Sequence, residues 1–258
     1  MNVRIAGLQQ RELTQYIRKH FPTIKIVRSK PDFVLCYGGD GTLLYAERLY
    51  PGIPKVMIRN SRVCTNCARL SKEVILELLS KGQYALSEQP LLEAKIKNHV
   101  VYGLNDVIVA HAAVNTSLRY NVLLDQQHYG GEYLGDGVIV ATALGSTGYY
   151  QSVTHSTFQD GLGVAFNNTI NNIGHLVVTR DTTITVKVNR GPGVVVADNA
   201  KKFIPIDHGE TVQIKRSYRT TYIAYFKGKH YRQYNVVGEN RVSLGYCQIC
   251  KKKITDSN

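Results

Sequence analysis

The chain has 258 residues, of which 43% are hydrophobic and 20% charged, an ordinary globular composition long enough for one large domain or two small ones. No apolar run approaches a membrane-spanning length, and the opening MNVRIAGLQQ lacks a secretory apolar stretch, so the expected setting is the cytoplasm, with no membrane partner. The formal net charge of +13 favours polyanionic partners: phosphorylated small molecules, polyphosphate or nucleic acid. Most of that charge is scattered as single Lys and Arg, which also describes a merely soluble basic surface; the one dense run is Lys251, Lys252 and Lys253.

Residues 3–8 (VRIAGL) read as a strand. A helix follows, with Leu13, Tyr16, Ile17 and Phe21 at helical spacing. IKIV, FVLCY and PKVMIRN are further strands. SKEVILELLSKG is a helix with Ser71 as its cap, Val74, Ile75, Leu78 and Leu79 inward, and Gly82 as its stop. Strands alternating with helices predict a mostly parallel sheet covered by helices. From residue 84 onward the runs are short, β-branched or aromatic, and broken by Gly, Asn and Asp, an all-β pattern.

Three stretches stand apart from this background. In CYGGDGTLLYAERL a buried strand meets Gly38-Gly39-Asp40-Gly41-Thr42, and then Leu43, Leu44, Ala46 and Leu49 mark a helix. Open glycine backbone at a helix N-terminus suits an anion such as a phosphate. A carboxylate among such amides fits proton acceptance or a metal ion; the plainer reading of Asp40 is a helix cap in a tight turn. In GLNDVIVAH, Asn105 and Asp106 precede an apolar strand, either as a turn or as an amide and a carboxylate at a pocket rim. In YLGDGVIVATALGSTGYY, Asp136 lies between glycines, and Gly145-Ser146-Thr147-Gly148 offers two hydroxyls to a phosphate or ribose, with Tyr149 offering a flat face to a base. Gly-Ser-Thr-Gly is also common loop composition.

Taken in this order and spacing, the three stretches resemble the NAD kinase family over roughly residues 30–226. Gly-Gly-Asp-Gly-Thr alone is shared with lipid kinases and, more loosely, phosphofructokinases; the stretch from Gly135-Asp136-Gly137 to Tyr149 narrows the match. The resemblance implies a Rossmann-like N-terminal α/β domain (1–83), a β-sandwich-like dinucleotide-binding domain (84–226), and a C-terminal segment (227–258) returning to the first domain. It implies phosphoryl transfer from ATP, or in some members polyphosphate, to the 2′-hydroxyl of the adenosine ribose of NAD, giving NADP, with Mg²⁺ or another divalent cation, in a homodimer or homotetramer.

Carried over residue by residue, Asp40 would orient or deprotonate the ribose hydroxyl, and Gly39, Gly41 and Thr42 would sit against phosphates. Asn105 and Asp106 would hold adenine and ribose. Ser146 and Thr147 would fix the nucleoside, with Tyr149 stacking near it. Asp136 would reach the adenine or nicotinamide end, across a subunit interface. The chain departs from the family at Asp106 (usually Glu), at Ala143-Leu144 (usually Pro-Thr), at Gly148 (usually Ala), and in IRNSRVCTNCARL, where a Gly-x-Asn-x-Gly-x-Leu-Gly-Phe-Leu run is usual. The competing readings are a different small-molecule or lipid kinase sharing the first motif, and a nucleic-acid-binding or regulatory protein on a degenerate kinase scaffold; the retained motif residues count against nucleic acid.

Five cysteines in a chain of this kind do not suggest a disulfide framework. Cys36 suits a buried strand. Cys64 with Cys67 and Cys247 with Cys250 form two C-x-x-C pairs, the four thiolates of a closed structural zinc site. Sequence spacing does not support that pairing, whereas a chain end that returns to the first domain does; redox-active dithiols and unrelated free thiols are the other readings.

Overall fold

The computed structural model describes residues 1–62, 64–171 and 173–226. The first 83 residues alternate as expected: β1 (Asn2–Ala6), α1 (Gln10–His20), β2 (Lys25–Ile26), β3 (Phe33–Gly38), α2 (Asp40–Leu49), β4 (Lys55–Arg59) and α3 (Lys72–Ser80). Their strands pair in parallel in the order β2-β1-β3-β4. All six residues of β3 are buried, because helices cover both faces of a parallel sheet and its central strand must be apolar on both. α1 buries Leu13 and Ile17, and the Ser71 hydroxyl caps α3 by accepting from Val74 N. The buried stripe of α3 is Ile75, Leu76 and Leu79; Val74, expected inside, is exposed, since the face turns one residue toward Leu76.

The β-rich part follows: β5 (Ala85–Ile96), β6 (His99–Gly103), β7 (Asp106–His111), β8 (Leu118–Leu124), β9 (Gln127–Gly135), β10 (Gly137–Ala141), a 3₁₀ turn (Gly145–Thr147), α4 (Tyr149–Thr154), β11 (Leu162–Asn167), β12 (His175–Val178), β13 (Ile184–Arg190), β14 (Gly193–Ala197), β15 (Ile204–Ile206) and β16 (Thr211–Tyr225). Six of these strands form an antiparallel sheet, β12-β11-β10-β7-β14-β15. It packs on the sheet carrying β5, β8, β13 and β16 through Leu92, Val107, Tyr120, Val138, Val164, Val186 and Ile214, a sandwich core.

The runs ETVQIKR and RTTYIAYF are one strand, β16, with a register shift between Arg216 and Thr220. Thr220 lies opposite Pro90 of β5, which has no N–H to give the ladder, so the irregularity falls where a bond is missing anyway. β16 then runs on to pair with β4 through Ile223 and Ala224, which makes the larger sheet ten-stranded and continuous across both parts of the chain. The chain thus re-enters the α/β part within β16; residues 227–258, expected to do so, lie outside the described residues.

Candidate dinucleotide site

Four short turns meet where the α/β part faces the sandwich. The first is the β3–α2 junction. Gly38 leaves room for the Thr42 side chain: a Cβ there would come within 2.1 Å of Thr42 Oγ1, which would have to turn away. Gly39 is the residue before the helix and Asp40 its first residue. Asp40 does not cap α2. Its carboxylate instead accepts from Thr65 N (2.8 Å), Asn66 N (3.0 Å) and Asn66 Nδ2 (2.9 Å), donors on the loop after β4.

The second turn carries Asn105 and Asp106, and a residue outside the sequence motifs builds it. Asp198, just after β14, accepts from Leu104 N (2.8 Å), Asn105 N (2.8 Å) and Asp106 N (3.2 Å), and its own N–H donates to Asp106 O. Its neighbour Asn199 donates to Gly41 O (2.9 Å) and accepts from Arg48 (2.9 Å). The Asp198-Asn199 turn therefore ties the glycine turn of α2 to the Asn105-Asp106 turn. The only sequence signal for it is a polar Asp-Asn pair ending the run GVVVAD.

The third turn is 142–148. Thr142 N donates to Asn105 O, and Thr142 Oγ1 to Leu104 O (2.7 Å). A Cβ on Gly145 would lie 2.0 Å from Asn105 O, so only glycine lets these backbones touch. Asn105 is enclosed by this contact, and its side-chain Oδ1 is buried with no partner among the described residues. An unpaired buried amide oxygen costs about 1–3 kcal/mol, so this acceptor stands open to a donor.

Asp106 is buried beside Asp198. Burial, then the Asp198 charge, push its carboxyl up to about 7. Burial also raises Asp198, while three backbone N–H groups and Arg48 oppose that rise.

Not every expected residue joins this cluster through its side chain. Ser146 is buried, and its hydroxyl faces Ala143 O (2.7 Å) and Phe158 O (3.1 Å), so it locks the turn instead of facing a nucleoside. Thr147 is half-buried and its hydroxyl donates to Leu144 O (3.3 Å). Tyr149 is exposed, and its hydroxyl accepts from Asn167 Nδ2 (3.0 Å). Asp136 sits at the far end of β10, about 20 Å of extended chain from Thr142. It accepts from Asn168 Nδ2 (3.2 Å), with His111 Nε2 at 3.8 Å.

Among the described residues no cluster of His, Cys, Asp and Glu is arranged to hold a metal ion. Cys64 and Cys67 form a disulfide, which corrects the expectation that they are two of four thiolate ligands to a structural zinc: in that state neither is a thiolate. Cys247 and Cys250 lie outside the described residues. A cavity of about 600 Å³ opens beside Asp198, walled by Leu91, Val101, Tyr102 and Ala197 and rimmed by Arg48 and Arg219; it holds none of the motif residues. No described helix is long and apolar enough to cross a membrane.

Residues 104–226 match the model of the ATP-NAD kinase C-terminal domain. The chain is 33% identical over 193 residues to an NAD kinase of Sulfurisphaera tokodaii, covering 69% of this chain and 73% of that one. It is 27% identical over 229 residues to an NAD kinase of Caldanaerobacter subterraneus (83% and 80% covered). Among solved structures, yeast NADH kinase complexed with NADH superposes with a TM-score of 0.75 at 14% identity, over 94% of this chain and 87% of that one. An Archaeoglobus fulgidus NAD kinase in complex with ATP gives 0.73 at 20% identity, over 93% and 99%. The solved structures establish the α/β-plus-sandwich fold, and the relation to the S. tokodaii sequence over most of both chains places this chain in the NAD kinase family.

Proposed function

We propose that the protein transfers the terminal phosphoryl group of ATP to the 2′-hydroxyl of the adenosine ribose of NAD, forming NADP. As a member of its family the chain is a kinase that acts on NAD; acceptor atom, donor and product are what this reading adds. The observation that carries it is the Asn105-Asp106 turn, where an unpaired buried amide oxygen and a buried carboxyl lie side by side. An adenine amino group is a donor for Asn105 Oδ1, and ribose hydroxyls are donors for Asp106. Asp198 and Asn199 then link that turn to the helix of Asp40.

Phosphoryl transfer needs an oriented nucleophile and neutralised phosphates more than covalent help. Asp40 accepts the proton, or the hydrogen bond, of the 2′-hydroxyl. Gly39 and Gly41, at the start of α2, let phosphates approach the helix N-terminus. A divalent cation, when bound with the donor, neutralises phosphate charge; Asp40 is the carboxylate at that turn. Tyr149 lies against the nucleoside through its exposed ring, and Thr147 lines the same turn, while Ser146 acts from beneath by holding the turn's shape. Asp136, at the other end of β10, serves the site of a second copy in a homo-oligomer. ATP as donor draws its support from the A. fulgidus NAD kinase of the same fold, which is solved in complex with ATP.

The test is a coupled assay of purified protein with NAD, a divalent cation and either ATP or polyphosphate, reading NADP. ATP-dependent NADP formation is expected. Asp40→Asn should lower kcat by about 10²–10⁴, the range of a positioned acid–base group, while NAD still raises the melting temperature. Wild-type turnover in that variant would remove Asp40 from the mechanism.

A further inference from the structure

The loop that holds Asp40 is closed by a bond that the phosphoryl transfer does not use. Cys64 and Cys67 are joined with their Cα atoms 5.6 Å apart. The two residues inside that ring, Thr65 and Asn66, are the ones whose N–H groups hold the Asp40 carboxylate. The sulfurs lie on the same turn: Cys64 Sγ is 3.6 Å from Asp40 Oδ1, and Cys67 Sγ is 3.7 Å from Gly38 O. A carboxylate has about four lone-pair positions. The ring's three donors leave one for a substrate hydroxyl and fix the direction in which it points.

We infer that the Cys64–Cys67 disulfide is a redox-modification site that sets turnover through Asp40, the disulfide being the working form. This rests on the reaction proposed above. Reduction is a two-electron exchange with a dithiol. A thiolate of the dithiol attacks Sγ of Cys64, the more exposed of the pair, the S–S bond breaks, and Cys67 leaves as a thiolate that takes a proton. The second thiol of the reductant then attacks the mixed disulfide. Cys64 leaves as a thiol, and the dithiol departs as its cyclic disulfide. The protein gains two electrons and two protons.

With the ring open, Thr65 and Asn66 are no longer pinned at both ends, and Asp40 loses its fixed direction. The Asn105-Asp106 turn is held separately by Asp198 and does not depend on the ring. The effect therefore falls on kcat and not on NAD binding. Cys36 is excluded from the exchange, because burial pushes its thiol up to about 12 and leaves it with almost no thiolate.

The experiment compares the full chain as oxidised, after dithiothreitol with the reductant then removed, and after reoxidation. The state of the 64–67 pair is read by alkylation and peptide mass. Verified reduction should lower kcat about ten- to a hundredfold, the scale of a misplaced catalytic group, with KM for NAD nearly unchanged, and reoxidation should restore it. The double variant Cys64→Ser/Cys67→Ser should show the low kcat with or without reductant and keep its NAD-induced rise in melting temperature. Unchanged kcat after verified reduction overturns the inference. So does a reductant effect that persists in the double variant, or NAD binding lost in step with kcat. If the oxidised wild type makes no NADP, the reaction itself fails first, and the coupling with it.

Discussion

Asp106 is the residue whose environment has the clearest measurable consequence. Its folded carboxyl is raised to about 7 from 3.8, by burial first and by Asp198 second. Between these values the folded chain holds a proton that the unfolded chain has lost, so wild-type stability falls as pH rises through that window and levels off above 7. At about 1.4 kcal/mol per pH unit the total is on the order of 4 kcal/mol. Asp106→Asn should flatten this slope in urea titrations and be more stable than wild type at pH 8. In the proposed site ribose hydroxyls donate to the Asp106 carboxylate, so NAD affinity should weaken as pH drops below 7, and calorimetry should show proton release on binding near neutrality. Affinity constant from pH 6 to 8 would separate Asp106 from the ligand. Asn105 and Asp106 stand out in the sequence as polar residues before an apolar strand. Asp198, which shapes their turn, does not: an Asp-Asn pair at a strand end is ordinary turn composition. Ser146 and Asp40 were visible as residue types, but their partners come from loops 12 and 25 residues away, and no local pattern encodes those.

At the scale of elements, the buried pair Lys55–Glu47 joins three of them. Lys55 Nζ, on β4, donates to Glu47 on α2, to Tyr50 O (2.6 Å) and to Thr221 Oγ1 (3.2 Å) on β16. Burial lowers the lysine's pKa, and Glu47 opposes that shift. Removing one member leaves a buried charge unpaired. Glu47→Ala should therefore cost about 3–5 kcal/mol in denaturant unfolding, and Glu47→Leu with Lys55→Met should recover much of it. Equal losses in the single and double variants would show that the hydrogen bonds, not the charge, dominate. Regular elements were legible because their apolar pattern matches their packing: α1 by one helical stripe, β3 by a continuous run buried on both faces. The pair was not, since Lys55 and Glu47 are charged residues that composition assigns to the surface. Nor was the union of two short runs into β16, because Ser217 to Arg219 interrupt the apolar alternation at the bulge.

Across the whole molecule, β16 decides whether the two parts behave as one. Its first part pairs with β13 and β5 inside the sandwich, and its end pairs with β4 in the α/β part. Ala224 and the adjacent Phe226 then enter the core formed by α1, β1, β3, β4 and α3. A boundary near residue 83 separates two sequence patterns, yet the described backbone bonds cross it without a break. The parallel sheet would end at β4 without β16, exposing an edge and the space that Phe226 fills. The two parts should therefore unfold in a single step. Native-state hydrogen exchange checks this: the most protected amides of β3 and of β13 should open with the same free energy, equal to the global value. Phe226→Ala, which empties a site 2% exposed in the α/β core, should cost about 3–5 kcal/mol and lower both sets of amides together. Exchange in β3 that falls while β13 keeps its protection would mean that the sheet is continuous in hydrogen bonding and divided in stability, and that the α/β part can open without disturbing the sandwich.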